Sequence, residues 1–273
     1  MITGFRPFNQ PWWKPMADAR GACCYRASMN RSDIEVLREL AKQVREIASL
    51  PVQEERRTLW KKHNSLQPVR PMVLLFPEGA WPELVRPETL RCTSEEARRI
   101  EWELRIRIYG HEHFADDTVV EPEWRVQKAI NTTGWGLEAR QHSSTTERGA
   151  WAFEPVLNDR ADLEKLRTPV VTHDAEESQR RLEASQELFG GILDVRLVGK
   201  THISYHLTKQ YTYLRGLEQM MIDMFDDPQF LHDTMELFVQ GHQSVLRQYQ
   251  DLSLLELNND STYHSGGCST PLR

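Results

Sequence analysis

Parallel α/β proteins do their chemistry where buried strands end, so the polar residues that follow each apolar run are the ones that could act. Four places in the chain have that form. Glu78 and Trp81 follow Met72–Phe76, and Glu121 and Glu123 close the run that begins at Asp117. Arg196 sits inside Ile192–Val198 with His202 just beyond it, and Asn258, Asn259, Asp260 and Tyr263 follow Leu254–Leu257. Glu78, Glu121 and Asp260 are the catalytic candidates, because a carboxylate whose pKa is raised by burial or by a like charge can serve as a general base. Trp81, Glu123, Arg196, His202, Asn258, Asn259 and Tyr263 are the substrate-binding candidates. Against these stand plainer readings. Glu78 is otherwise a solvated turn residue, and Asn258 to Asp260 otherwise stabilise the exit from a strand through ordinary Asx turns. Arg196 either clamps an anionic group through its planar fork or pairs with a carboxylate of a neighbouring strand.

Metal-binding patterns are thin. His202 and His206 stand four apart, and His264 and Cys268 flank a Gly-Gly pair, but two ligands do not make a zinc site and no C-x-x-C pair occurs. The four cysteines include adjacent Cys23 and Cys24, which is not the arrangement of a disulfide framework, so reduced thiols are expected. Met220, Met221 and Met224 with Leu217 and Phe225 follow helical spacing and read as a core face.

The elements that must position these residues follow from periodicity. Ser32 and Glu35 have capping-box spacing ahead of Ile34, Leu37, Leu40, Ala41, Val44 and Ile47, which predicts an amphipathic helix ending at Pro51. Further helices are expected at about 53–63, 94–111, 175–189, 217–224 and 228–249. Strands are expected at 72–76, 117–122, 192–198 and 254–260, and Trp124 to Leu166 reads as short strands or an ordered excursion. Strands separated by helices imply βαβ units about a parallel sheet, open or closed into a barrel. Neither G-x-G-x-x-G nor a Walker loop occurs, which removes the nucleotide-binding sheets. Residues 1–28, with Phe8 to Trp13 reading FNQPWW, have no period and read as an irregular arm; 29–273 read as one domain.

With 39% hydrophobic and 27% charged residues over 273 positions, the chain has the balance of a folded globular protein. A formal net charge of −6 offers no field for a nucleic-acid backbone. No apolar run reaches the roughly 18 residues that span a bilayer, so no membrane partner and a cytoplasmic location are expected.

Local segments carry a resemblance: Leu59–Asn64, Arg70–Val73, Asp117–Pro122, Leu188-Phe189-Gly190 with Val195-Arg196, Leu214–Met221, and Leu257–Asp260. Over about 29–270 the chain resembles the uroporphyrinogen decarboxylase-like proteins of anaerobic bacteria, kin of corrinoid-dependent methyltransferases. The resemblance implies a (β/α)8 barrel of TIM type, and methyl transfer between a small methylated substrate and a corrinoid protein. It implies a corrinoid carried by that partner, and zinc as a second cofactor. The zinc enzymes of the family use His-x-Cys and a distant Cys; no His-x-Cys occurs here, so the ligands are not identified. The decarboxylases proper hold substrate carboxylates with an arginine-rich loop after the first strand. Here that loop reads Phe76-Pro77-Glu78-Gly79-Ala80-Trp81, whose acid repels such a substrate, leaving decarboxylation of a tetrapyrrole or small carboxylate as the alternative. A barrel needs eight strands, so the expectation is the N-terminal part of one, truncated at its C-terminal side, with a natural start at Met29. A third reading is a non-catalytic truncated barrel acting as a binding module, its open sheet edge covered by homodimerisation.

Overall fold

The computed structural model describes residues 29–142, 152–203, 205–257, 263–264 and 267–268. The expected arm at 1–28 lies outside them, as do Asn258, Asn259 and Asp260. The helices are α1 (Arg31–Ala48), α2 (Pro51–Asn64), α3 (Trp81–Leu84), α4 (Glu95–His113), α5 (Arg160–Leu163), α6 (Ala175–Phe189), α7 (Leu207–Arg215), α8 (Leu217–Asp226) and α9 (Pro228–Asp251). The strands are β1 (Glu123–Gln127), β2 (Ala129–Thr132), β3 (Arg140–His142), β4 (Ala152–Glu154), β5 (Val171–Asp174), β6 (Asp194–Val198), β7 (Tyr263–His264) and β8 (Gly267–Cys268). The fold is mixed α/β. Among the described residues no sheet exceeds two strands, so no barrel closes there. Two compact units divide the chain: one holds Val73–Asn131, Ala175–Leu197 and the residues up to Gln53, and the other holds Glu54–Met72, Thr132–Asp174 and the residues from Val198 on.

In the first unit, α1 buries Val36, Leu37, Leu40, Ala41 and Val44 against Ile100 and Leu104 of α4 and Leu188 and Phe189 of α6. Each fully buried Leu or Phe contributes about 1.5–3 kcal/mol. The helix starts at Asn30, not Ser32: the Asn30 carboxamide accepts from the Asp33 N–H, which leaves the Asp33 carboxylate free to turn outward from its own helix. That carboxylate, 1% exposed, accepts from the Thr93 and Ser94 N–H groups and the Thr93 hydroxyl. Glu101, fully buried on α4, accepts from the N–H groups of Arg91 and Cys92 and from Arg105 Nε. Two acids thus fix the turn that feeds α4.

The segments expected as the first two strands join no sheet among the described residues. Asp117 N–H donates to the Val73 carbonyl at 2.8 Å, and the Asp117 carboxylate accepts the Val73 N–H in return at 2.9 Å. Asp116 does the same for the Leu75 N–H at 3.0 Å. Side-chain oxygens stand where a partner strand's carbonyls would be, so the ladder cannot propagate. Val73, Leu75 and Phe76 are accordingly exposed by 39–49% instead of buried on both faces. The strand read at 117–122 instead begins at Glu123, after Pro122, which has no N–H to give a ladder. β6 matches its expectation from Asp194 onward and pairs with β1.

In the second unit, the expected strand from Leu254 shrinks to a parallel bridge between Lys200 and Leu255. Gly199 permits it: a Cβ there would stand 2.2 Å from the Leu254 carbonyl oxygen. The core joins Leu157, Tyr211, Leu214, Met220, Phe230 and Phe238 where α7, α8 and α9 pack. The core face read from the methionine cluster is reversed. Met220 is buried, but Leu217, Met221, Met224 and Phe225 are exposed by 63, 53, 48 and 86%. The reason is Asp223, 2% exposed, whose ion pair with Arg215 draws the other side of α8 inward.

Burial pushes the Asp33 and Glu101 carboxyls up, but their N–H donors outweigh it and hold both below the ordinary carboxylate value. Their stabilisation is therefore present above the ordinary carboxylate pKa and is lost as pH falls through the depressed one. Asp33→Ala and Glu101→Ala should each cost about 2–4 kcal/mol at pH 7 by leaving buried N–H groups unsatisfied. Denaturant unfolding at pH 7 and pH 3 checks this; losses equal at both pH values would contradict it.

Candidate functional site

In the first unit the strand pair β1–β6 gathers charge. The two-residue strand period buries Trp124 and Val126 and turns Glu123 and Arg125 to the other face. Glu123 Oε1 meets Arg196 Nη1 of β6 at 3.0 Å, and Oε2 meets Arg125 Nε at 3.3 Å. Arg107 of α4 donates to the Glu123 carbonyl at 2.8 Å and lies 5.5 Å from the Trp124 ring centroid. Of the two readings of Arg196, pairing with a neighbouring strand's carboxylate is the one the geometry has.

Glu78 is exposed in a short 3-10 turn at φ 47, the solvated turn residue of the plainer reading. Trp81 packs against Tyr109 and Phe114, with ring centroids at 6.2 and 5.8 Å, which makes it an anchor for its loop. Glu121 is half-buried just before β1.

In the second unit His202 is half-buried and precedes α7, while His206 stands at that helix's start. The two do not share a helical face, which removes the spacing argument for a metal. Tyr263 is opposite Cys268 and His264 opposite Gly267 in the antiparallel β7–β8 pair. Among the described residues no three His, Cys, Asp or Glu side chains come together to hold a metal ion. The donor set there does not fit zinc.

Two groups in this unit escaped the sequence reading. His242 of α9 lies between Trp135, 5.0 Å away edge-on, and Tyr205, 4.4 Å away. Gly241 makes the room: a Cβ there would fall 2.5 Å from the Trp135 indole. Burial lowers the His242 pKa, and its Nε2 is buried with no hydrogen-bond partner among the described residues. Two turns on, Tyr249 shares the same helix face and its hydroxyl lies 3.1 Å from Thr132 Oγ1. Burial, and then Tyr249, raise the Tyr205 pKa. The arrangement presents a neutral imidazole among aromatic rings. A glycine inside an otherwise regular helix, as at Gly241, was the signal that something large approaches.

The second group is a buried fork. Arg215 grips Asp223 through Nε and Nη2 at 2.8 and 2.7 Å, Tyr211 donates its hydroxyl at 2.6 Å, and Gln219 adds a bond at 2.9 Å. Arg215 also donates to the carbonyls of Leu157 and Asn158 and lies 4.8 Å from the Phe230 ring centroid. With every oxygen engaged, Asp223 serves to lock α7, α8 and the loop at 157–158.

Comparison of the chain with protein-family models, with curated proteins and with solved structures finds no match. Among the described residues no helix is long and apolar enough to cross a membrane.

The Arg215 fork holds the Asp223 carboxyl at about 2, below its ordinary 3.8. That difference corresponds to about 2–3 kcal/mol of stability, complete above the ordinary carboxylate pKa and lost as pH falls toward the depressed one. Asp223→Asn should therefore unfold at lower denaturant at pH 7 and approach the parent as pH falls; a constant gap would contradict it. For His242 the sign is the same for a different reason: protonation is disfavoured in the fold, so stability declines as pH drops below the ordinary histidine value of about 6.5. An NMR titration of its ring should give a midpoint below that value.

Proposed function

We propose that the chain belongs to a cytoplasmic, uroporphyrinogen decarboxylase-like barrel protein that moves a methyl group between a small methylated substrate and a corrinoid protein. The observation that carries the choice of chemistry is Glu123, which engages both Arg125 and Arg196. Arginines already neutralised by a strand carboxylate suit a substrate of low charge better than a polycarboxylate. The neutral His242 between Trp135 and Tyr205 fits the same substrate class. A corrinoid carried by the partner would, when bound, supply a methyl-accepting centre. The residues of this chain orient the methylated compound, and the aromatic rings keep water from it. What favours a barrel in this reading is the parallel Lys200–Leu255 bridge that follows α7 to α9. A binding-module role is favoured by one observation only, the exposed apolar face of α8.

The test uses the reverse reaction. Purified protein is mixed with methylcobalamin and a small thiol, whose sulfur gains the methyl group as the cobalt–carbon bond breaks and cob(I)alamin is left. Loss of the methylcobalamin absorbance with matching thioether by mass spectrometry is expected, and Arg196→Ala should change the rate by tenfold or less if the pair only shapes the site. Release of carbon dioxide from an octacarboxylated porphyrinogen, with no thioether, would replace the reading with decarboxylation.

A further inference from the structure

α8 turns an apolar stripe to solvent. Leu217, Met221, Met224 and Phe225 recur at helical spacing, and Ile222, 41% exposed, widens the stripe. This is no loosely packed end, because the opposite face is locked by the Asp223–Arg215 fork and by buried Met220. Rotation of the helix to hide the stripe would bury five apolar side chains at the cost of exposing that ion pair to water.

Among the described residues, the charges that α8 itself presents have one sign. Glu218 and Asp226 are exposed on α8, whose sequence LEQMMIDMFD contains no lysine or arginine. At the α8–α9 junction the cation Arg160 is engaged by Asp227 and Asp233. A second copy of this face would set Glu218 and Asp226 against themselves, and an anionic lipid surface would be repelled. Flexible methionine thioethers adapt to an incoming apolar ridge.

We infer that the exposed face of α8 is a docking surface for a basic amphipathic helix of a partner protein, its apolar ridge on Met221, Met224 and Phe225 and its lysines or arginines on Glu218 and Asp226. Helix-in-face recognition of this kind reads anchors at i, i+3, i+4 and i+7, and the charges add rate and specificity.

The probe is a fluorescent synthetic helix of leucine and lysine with amphipathic spacing, titrated with the full chain and followed by anisotropy. Saturable binding is expected, weakened at least tenfold by Met221→Ser with Phe225→Ser and severalfold by Glu218→Gln with Asp226→Asn. The leucine–glutamate helix of the same spacing should not bind. All four positions are exposed, so circular dichroism of the variants should match the parent. Equal affinity in all variants, or binding of both peptides alike, would overturn the inference. A dimer in sedimentation that Phe225→Ser abolishes would assign the face to a second copy instead, and cosedimentation with anionic vesicles would assign it to lipid.

Discussion

The structure depends on carboxylates that are buried and yet remain charged. A loop that joins no sheet still has N–H groups, and leaving one buried without an acceptor costs about as much as any single packing contact supplies. Here acids meet that need. Asp33 and Glu101 receive the turn from Arg91 to Ser94, Asp116 and Asp117 receive the extended segment at Val73 and Leu75, and Asp162 receives Asn158 and Asp159. For Asp33 and Glu101, whose oxygens accept several donors, ionisation is favoured over neutrality despite burial. Cys92 shows the reverse case: burial, and then Glu101, push its thiol up to about 12, which makes it a small apolar filler and not a nucleophile.

The same economy of charge bears on function. Glu123 quenches Arg125 and Arg196 on the strand pair, and Asp223 quenches Arg215 between α7 and α8, so cations that a polycarboxylate would need are committed within the protein. Beside these ion pairs stand the neutral imidazole with its aromatic neighbours and the apolar face of α8 with acidic Glu218 and Asp226. The first favours a substrate of low charge and the second a cationic partner.

The long helices were legible, for a physical reason, whereas α3, α5 and α7 were not expected. Period-3.6 patterns backed by capping chemistry at Ser94 and Asp227 and stops at Pro51 and Gly190 make α1, α4, α6 and α9 nearly independent of context. The strands were less so. An apolar run such as Met72–Phe76 says that the chain is extended, but whether it meets a backbone or a side chain depends on Asp116 and Asp117, some forty positions away. The methionine cluster misled for the same reason, since the face that α8 buries is chosen by one ion pair and not by its average hydropathy. Of the candidate site, the strand-end logic found Glu123 and Arg196 and the possibility that the arginine pairs with a carboxylate of a neighbouring strand. It missed His242, whose interest arises only when Trp135 and Tyr205 close on it from distant parts of the sequence.

Native-state hydrogen exchange reads the claim about carboxylates amide by amide. At neutral pH the N–H groups of Val73, Leu75, Arg91, Cys92 and Thr93, none of them in a helix or strand, should be protected to a degree comparable with interior amides of α4. That protection should collapse on acidification before the helix amides lose theirs. Exchange of these five at unprotected rates at neutral pH, or loss in step with the helix, would contradict the account.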